Sequence, residues 1–205
     1  MLTDYNDNYL TTSTGLARDN YDIGLRAFLS ANYGAQEAFS QSIEADPNFA
    51  LAYLGLARAF MGSGHAPEAK AALGKAKNFL DGVTDREKSH FLCCELILLG
   101  ETKKARAAVH HHVSEWPRDA MVAQMNTSVF GLIGFSGEVG REVDLLEYTE
   151  RLLPHYGDDW WMISMHSISL CETGQTLKSM QSFYRLFHQQ VLTYCLISQM
   201  VQMFI

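Results

Sequence analysis

The chain has 205 residues, 47% of them hydrophobic and 19% charged, a balance that suits a folded core and excludes disordered, collagen-like and mini-protein classes. Sixteen Lys plus Arg against 23 Asp plus Glu give a net charge of -7 and a pI near 5.6, which argues against nucleic-acid binding and against anionic membranes. Four cysteines, two of them adjacent (Cys93, Cys94), form no spaced disulfide framework, and the polar start Met1-Leu2-Thr3-Asp4 is no signal peptide, so reduced thiols in the cytoplasm are expected. The apolar-leaning run from Val191 to Ile205 is short of the ~20 residues that span a bilayer.

Residues 1–16 read as an N-terminal extension. Helical periodicity then predicts helices over 17–31, 34–45, 48–62, 66–80, 85–99, 102–115, 119–133, 139–152 and 159–173. No stretch alternates as a half-buried strand would, so the expected class is all-α. Thr84-x-x-Glu87 is a capping box, Asp158-Asp159 precede a helical stretch, and Gly100 and Gly174 follow apolar turns as C-terminal glycines do. Pro47, Pro117 and Pro154 each follow a helical stretch as though closing it. Pro47 and Pro117 are 70 residues apart, two steps of 35, and Pro154 comes 37 later; repeats of about 34 residues ending in proline belong to helix-pair solenoids.

Tyr53-x2-Leu56-Ala57-x2-Phe60, Ala69-x3-Leu73 and then Asp81 follow the tetratricopeptide register, with Ala35-x3-Phe39 and Ala105-x3-Val109 as second helices of flanking units. Ala57 and Ala69 are expected at the close contact of a pair, with the bulky residues filling the space beside it. The fold predicted is a right-handed tetratricopeptide-like helix-pair solenoid over 17–175. Residues 176–205 form an atypical tail: Glu172 is the last acid, and six glutamines follow it. Either a final helix pair or a sequence foreign to the fold, through truncation or a frame change, accounts for it.

Ser30 to Phe39, Ala45-Asp46-Pro47-Asn48-Phe49-Ala50-Leu51-Ala52 and Thr84 to His90 resemble the tetratricopeptide repeat protein 38 family and its bacterial relatives. Thr11-Thr12-Ser13 and Leu170-Cys171-Glu172-Thr173-Gly174 are similar to that family's pattern, so the resemblance covers roughly 8–175. It implies a helical solenoid with no catalytic residues to carry over. Family members normally continue through further helix pairs, which implies that this chain is an N-terminal portion of such a design.

His110-His111-His112 lie about 100° apart on a helix and cannot converge on one metal ion. Cys93-Cys94 lack the gap of a redox pair and read as buried thiols; Gly131-x-x-Gly134-x-x-Gly137-x-x-Gly140 lacks the Lys-Ser/Thr of a phosphate loop and reads as a connection. Asp158-Asp159-Trp160-Trp161 read as a cap and core packing. First-helix positions facing a concave groove include Arg58, His90, Gln124 and His166, expected to bind a protein or peptide partner. One Arg cannot form the carboxylate clamp that holds a chaperone tail. The expected function is a non-catalytic interaction scaffold with no cofactor and no metal; the alternatives are an enzyme or a metal or small-molecule binder around His90, His166 and 158–161, or an inactive fragment.

Overall fold

The structure is a computed structural model that describes residues 2–127 and 129–184. Regular structure among them is helical, apart from a hairpin of two-residue strands, β1 (Leu2–Thr3) and β2 (Tyr9–Leu10), that the all-α expectation did not contain. The helices are α1 (Gly15–Leu29), α2 (Ala35–Ala45), α3 (Ala50–Gly62), α4 (Ala66–Lys77), α5 (Asp85–Leu98), α6 (Thr102–Glu115), α7 (Ala120–Ala123), α8 (Arg141–Tyr156) and α9 (Trp160–Glu172). The chain divides into two compact units, Met1–Asn126 and Thr127–Ile205.

In the first unit α1 packs on α2, α3 on α4 and α5 on α6, while α3 also touches α1 and α5. Each pair thus leans on the next, as in a helical repeat. The small residues sit where the packing needs them: Ala57 is 1% exposed and Ala69 is fully buried. Leu56, Phe60 and Leu73 are only half-buried, and the core is built instead from Tyr21, Phe39, Phe49, Leu51 and Leu54. Local chemistry sets the ends. Pro67 occupies the first turn of α4, where its missing N–H costs nothing, and the Thr84 hydroxyl accepts from the Glu87 amide while Glu87 Oε2 accepts from the Thr84 amide at 2.8 Å.

Two expected helices differ. The one over 119–133 shrinks to α7: from Met125 the backbone ladder tightens to i→i−3, with the Met125 amide on the Val122 carbonyl and the Asn126 amide on the Ala123 carbonyl, and the helix ends there. The helix over 139–152 instead runs on to Tyr156 through Pro154. In the last turn a proline loses one backbone bond, and its fixed φ is already helical, so Pro154 does not close α8.

In the second unit α8 packs on α9 through Leu145, Leu152 and the edge-on rings of Tyr156 and Trp161, whose centroids are 5.7 Å apart. Asp159 caps α9 by accepting from the Trp161 and Met162 amides at 3.0 Å. Of the expected atypical tail, residues 176–184 are helical, and the buried Ser179 hydroxyl donates to the Ser167 carbonyl at 2.8 Å. The remainder of that tail, 185–205, lies outside the described residues.

The extension is part of the fold. Asp4 Oδ1 accepts from the Asn6 and Asn8 amides at 2.9 Å and shapes the hairpin turn. Thr11 donates through its amide to Glu87 Oε1 at 2.9 Å and through its hydroxyl to Oε2, so Glu87, 1% exposed, caps α5 and tethers the N-terminal strap at once. Glu87→Ala is expected to cost roughly 2–4 kcal/mol by urea denaturation, a cap plus charge-assisted bonds; a loss below about 0.5 kcal/mol would show that the tether contributes nothing.

Candidate functional site

Asp119 stands at the N-cap of α7 but does not cap it. Its Oδ2 instead receives Arg86 Nη1 at 2.5 Å and lies 3.2 Å from both His90 Nδ1 and His112 Nε2, so one buried carboxylate joins α5, α6 and the start of α7. Burial alone would raise the Asp119 pKa, but the Arg86 charge and the histidine hydrogen bonds outweigh it and hold the carboxyl well below its ordinary value. Burial dominates at His90 and lowers its pKa despite Asp119, so the ring is neutral at pH 7. Arg86 also donates from Nη2 to the Tyr9 carbonyl at 2.9 Å, which clamps the hairpin onto this centre.

The same centre contains a Ser–His–Asp sequence of contacts. Ser89 Oγ lies 2.9 Å from His112 Nδ1, and His112 Nε2 faces Asp119. Two features weaken it as a hydrolytic triad. The oxygen that would stabilise an imidazolium is already neutralised by Arg86. Ser89 sits inside α5, where helix amides are bonded to the preceding turn and none is free to stabilise an oxyanion.

Arg58 and Gln124 form a second polar site in the first unit. Arg58 Nη2 donates to Gln124 Oε1 at 2.6 Å, joining α3 to the residue that ends α7. The guanidinium lies 5.4 Å from the Phe28 ring centroid, and Nε is buried without an acceptor among the described residues. Burial lowers the Arg58 pKa, and among its neighbours only Cys94 pulls the other way. Burial also pushes the Cys94 thiol up to about 12 and the Cys93 thiol further, so both are protonated at neutral pH.

Of the four residues expected to line a groove, the structure therefore brings Arg58 and Gln124 together. His90 is fully buried and belongs to the Asp119 centre. His166 belongs to the second unit, where its Nδ1 is 3.3 Å from Thr149 Oγ1 and burial lowers its pKa. Leu51, Leu54, Cys94 and Met121, on the helices that carry Arg58 and His90 and the one that Gln124 ends, are at most 1% exposed. Among the described residues the histidine run diverges as its spacing requires, with His111 exposed and His112 buried. Sequence reasoning missed Asp119 and Arg86: an Asp before a helix resembles a cap, and their separation of 33 residues leaves no local pattern.

No family model, curated protein or solved structure matches the chain. Among the described residues no cluster of three His, Cys, Asp or Glu side chains is arranged to hold a metal ion, and no helix is long and apolar enough to cross a membrane.

Proposed function

We propose that the chain is a non-catalytic interaction scaffold, a right-handed tetratricopeptide-like solenoid of the kind its resemblance to the tetratricopeptide repeat protein 38 family implies, which holds a protein or peptide partner in the cytoplasm. The observation that carries this reading is the Arg58–Gln124 pair. It connects α3, the first helix of the α3–α4 pair, to the residue that ends α7 and sets a cation beside an amide. The groups best equipped for chemistry, Asp119, His90 and Arg86, are engaged with one another and with the hairpin, which supports structure over turnover as their task. One cation does not hold two carboxylates, so a chaperone-tail clamp is not the partner class.

The test is to recover a partner with the tagged chain, then titrate that partner against wild type and the Arg58→Ala/Gln124→Ala variant. Affinity is expected to fall at least about tenfold, the loss of a charged contact and its orienting amide; unchanged affinity removes the groove. The Ser89–His112 contact favours one other reading, a serine hydrolase. Stoichiometric labelling of Ser89 by a fluorophosphonate would replace the scaffold with that enzyme, and an unlabelled protein is the expected result.

A further inference from the structure

We infer that Arg58 is a receptor for a single carboxylate, presented by a partner's acidic side chain or chain terminus or by a small organic acid. The inference rests on the scaffold reading for where the site lies and adds the chemistry of what enters it. A guanidinium has five N–H donors in a planar fork. Among the described residues Arg58 uses one, to Gln124 Oε1, and its Nε is buried with no acceptor. Residue 58 is 7% exposed, and no Asp or Glu among the described residues pairs with it. Cys94, the one neighbour that favours its charge, is a protonated thiol and supplies no counter-ion. The contrast with Arg86 is internal to the fold: that guanidinium, 5% exposed, is matched by Asp119. A buried cation without a counter-charge is costly to keep, and an incoming carboxylate removes that cost while filling the fork bidentately.

Charge and shape both favour carboxylate over phosphate. One positive charge balances one carboxylate, whereas a phosphate dianion would remain half-neutralised in a site walled by Phe28 and the Cys94 thiol. Phe28 also marks the approach. It lines an open cleft of about 590 Å³ with Ala27, Gln36, the acidic Glu37, Ala59 and Ser63, and the Arg58 guanidinium lies against its ring. Arg58 lies behind Phe28 rather than on the cleft wall, so a carboxylate entering here would have to pass Glu37 and displace the Phe28 ring to reach the fork.

The experiment is a thermal-unfolding titration of the full chain with sodium acetate, sodium phosphate and an acidic peptide, each against sodium chloride of equal ionic strength. Acetate at about 50 mM is expected to raise the wild-type Tm by roughly 5–9 °C, as mass action on a millimolar site gives. The gain should vanish in Arg58→Met, with phosphate at least threefold less effective than acetate in wild type. Arg58→Lys keeps the charge and loses the fork. It should shift at least about threefold less than wild type, and it carries the test if Arg58→Met does not fold. No acetate effect on wild type, or equal effects in wild type and Arg58→Lys, overturns the receptor. The two sources separate in the same data: a peptide acting at micromolar concentration assigns the carboxylate to a protein partner, whereas acetate alone assigns it to a small acid and removes the scaffold reading. A peptide that binds wild type and Arg58→Met equally leaves the scaffold standing and removes the receptor.

Discussion

Asp119→Asn is expected to cost about 3–5 kcal/mol of unfolding free energy at pH 7, among the largest effects of any single substitution here. The amide matches the carboxylate in shape, so the loss isolates charge. Arg86, 5% exposed, would keep its bond to the Tyr9 carbonyl but lose the anion that makes its burial tolerable. His90 and His112 would lose the same acceptor. The pH dependence gives an independent check. A carboxyl whose folded pKa lies well below its unfolded value adds stability that is fully present above about pH 4 and is lost as pH falls through the folded value. The gap between wild type and Asp119→Asn should therefore stay wide from pH 7 to about 5 and narrow toward pH 3. Neutral burial of His90 makes both proteins less stable below about pH 6.5, since only the unfolded chain takes up its proton; Asp119 favours the protonated ring, so its loss lowers the His90 pKa further and adds to the gap below that pH. Urea melts of both proteins across this range decide the matter: a loss below about 1 kcal/mol at pH 7, or a gap unchanged at pH 3, would show that the carboxylate does not hold the centre together.

The helical frame was legible because its signals are local. Thr84 and Glu87 are three residues apart, and their capping box closes as expected. Gly100 and Gly174 take φ of 75° and 77° after α5 and α9, the left-handed turn that a C-terminal glycine permits. Asp159 caps α9 and Trp161 is buried, as the Asp-Asp-Trp-Trp run foretold. Errors arose where two local rules conflicted. Periodicity carries α7 too far because it weighs apolar spacing and does not register the tightening of the backbone ladder to i→i−3 at Met125 and Asn126. Pro154 was read as a stop although the last turn of a helix can absorb it. The polar centre was not legible, since its parts come from distant segments. Thr11 and Glu87 are 76 residues apart, and Asn8 reaches the Arg118 carbonyl across 110. The polar segment from Asp4 to Thr11 looks like a solvated linker until Arg86 is seen to hold the Tyr9 carbonyl and Glu87 to hold Thr11. Register alone puts His90 on an inner face, which fixes direction and leaves burial undetermined; Arg58 and Gln124 share that expected face and prove to touch.

Replacing Gly55 with alanine should destabilise the first unit, although alanine is the better helix former by about 1 kcal/mol. The sign of the change is therefore informative. Phe39, fully buried on α2, lies between Gly24 of α1 and Gly55 of α3 and is 5.7 Å from the Tyr21 ring centroid. A Cβ at Gly55 would stand 2.4 Å from Phe39 Cε1, and one at Gly24 would stand 2.8 Å from the same ring, closer than carbon atoms approach. The ring is held from both sides and cannot slide away from one glycine without meeting the other. Overpacking of this kind costs about 1–3 kcal/mol, which for a chain of this size lowers Tm by roughly 3–10 °C. Gly74→Ala in α4 is the control, because nothing lies within 4 Å of the added methyl, and it should stabilise by about 0.5–1 kcal/mol. Phe39→Leu, harmful alone, should lose less in the Gly55→Ala background, and the double-mutant cycle should give a coupling of about 1 kcal/mol or more. A stabilised Gly55→Ala protein, or a cycle with no coupling, would mean that α1, α2 and α3 are not locked through this ring.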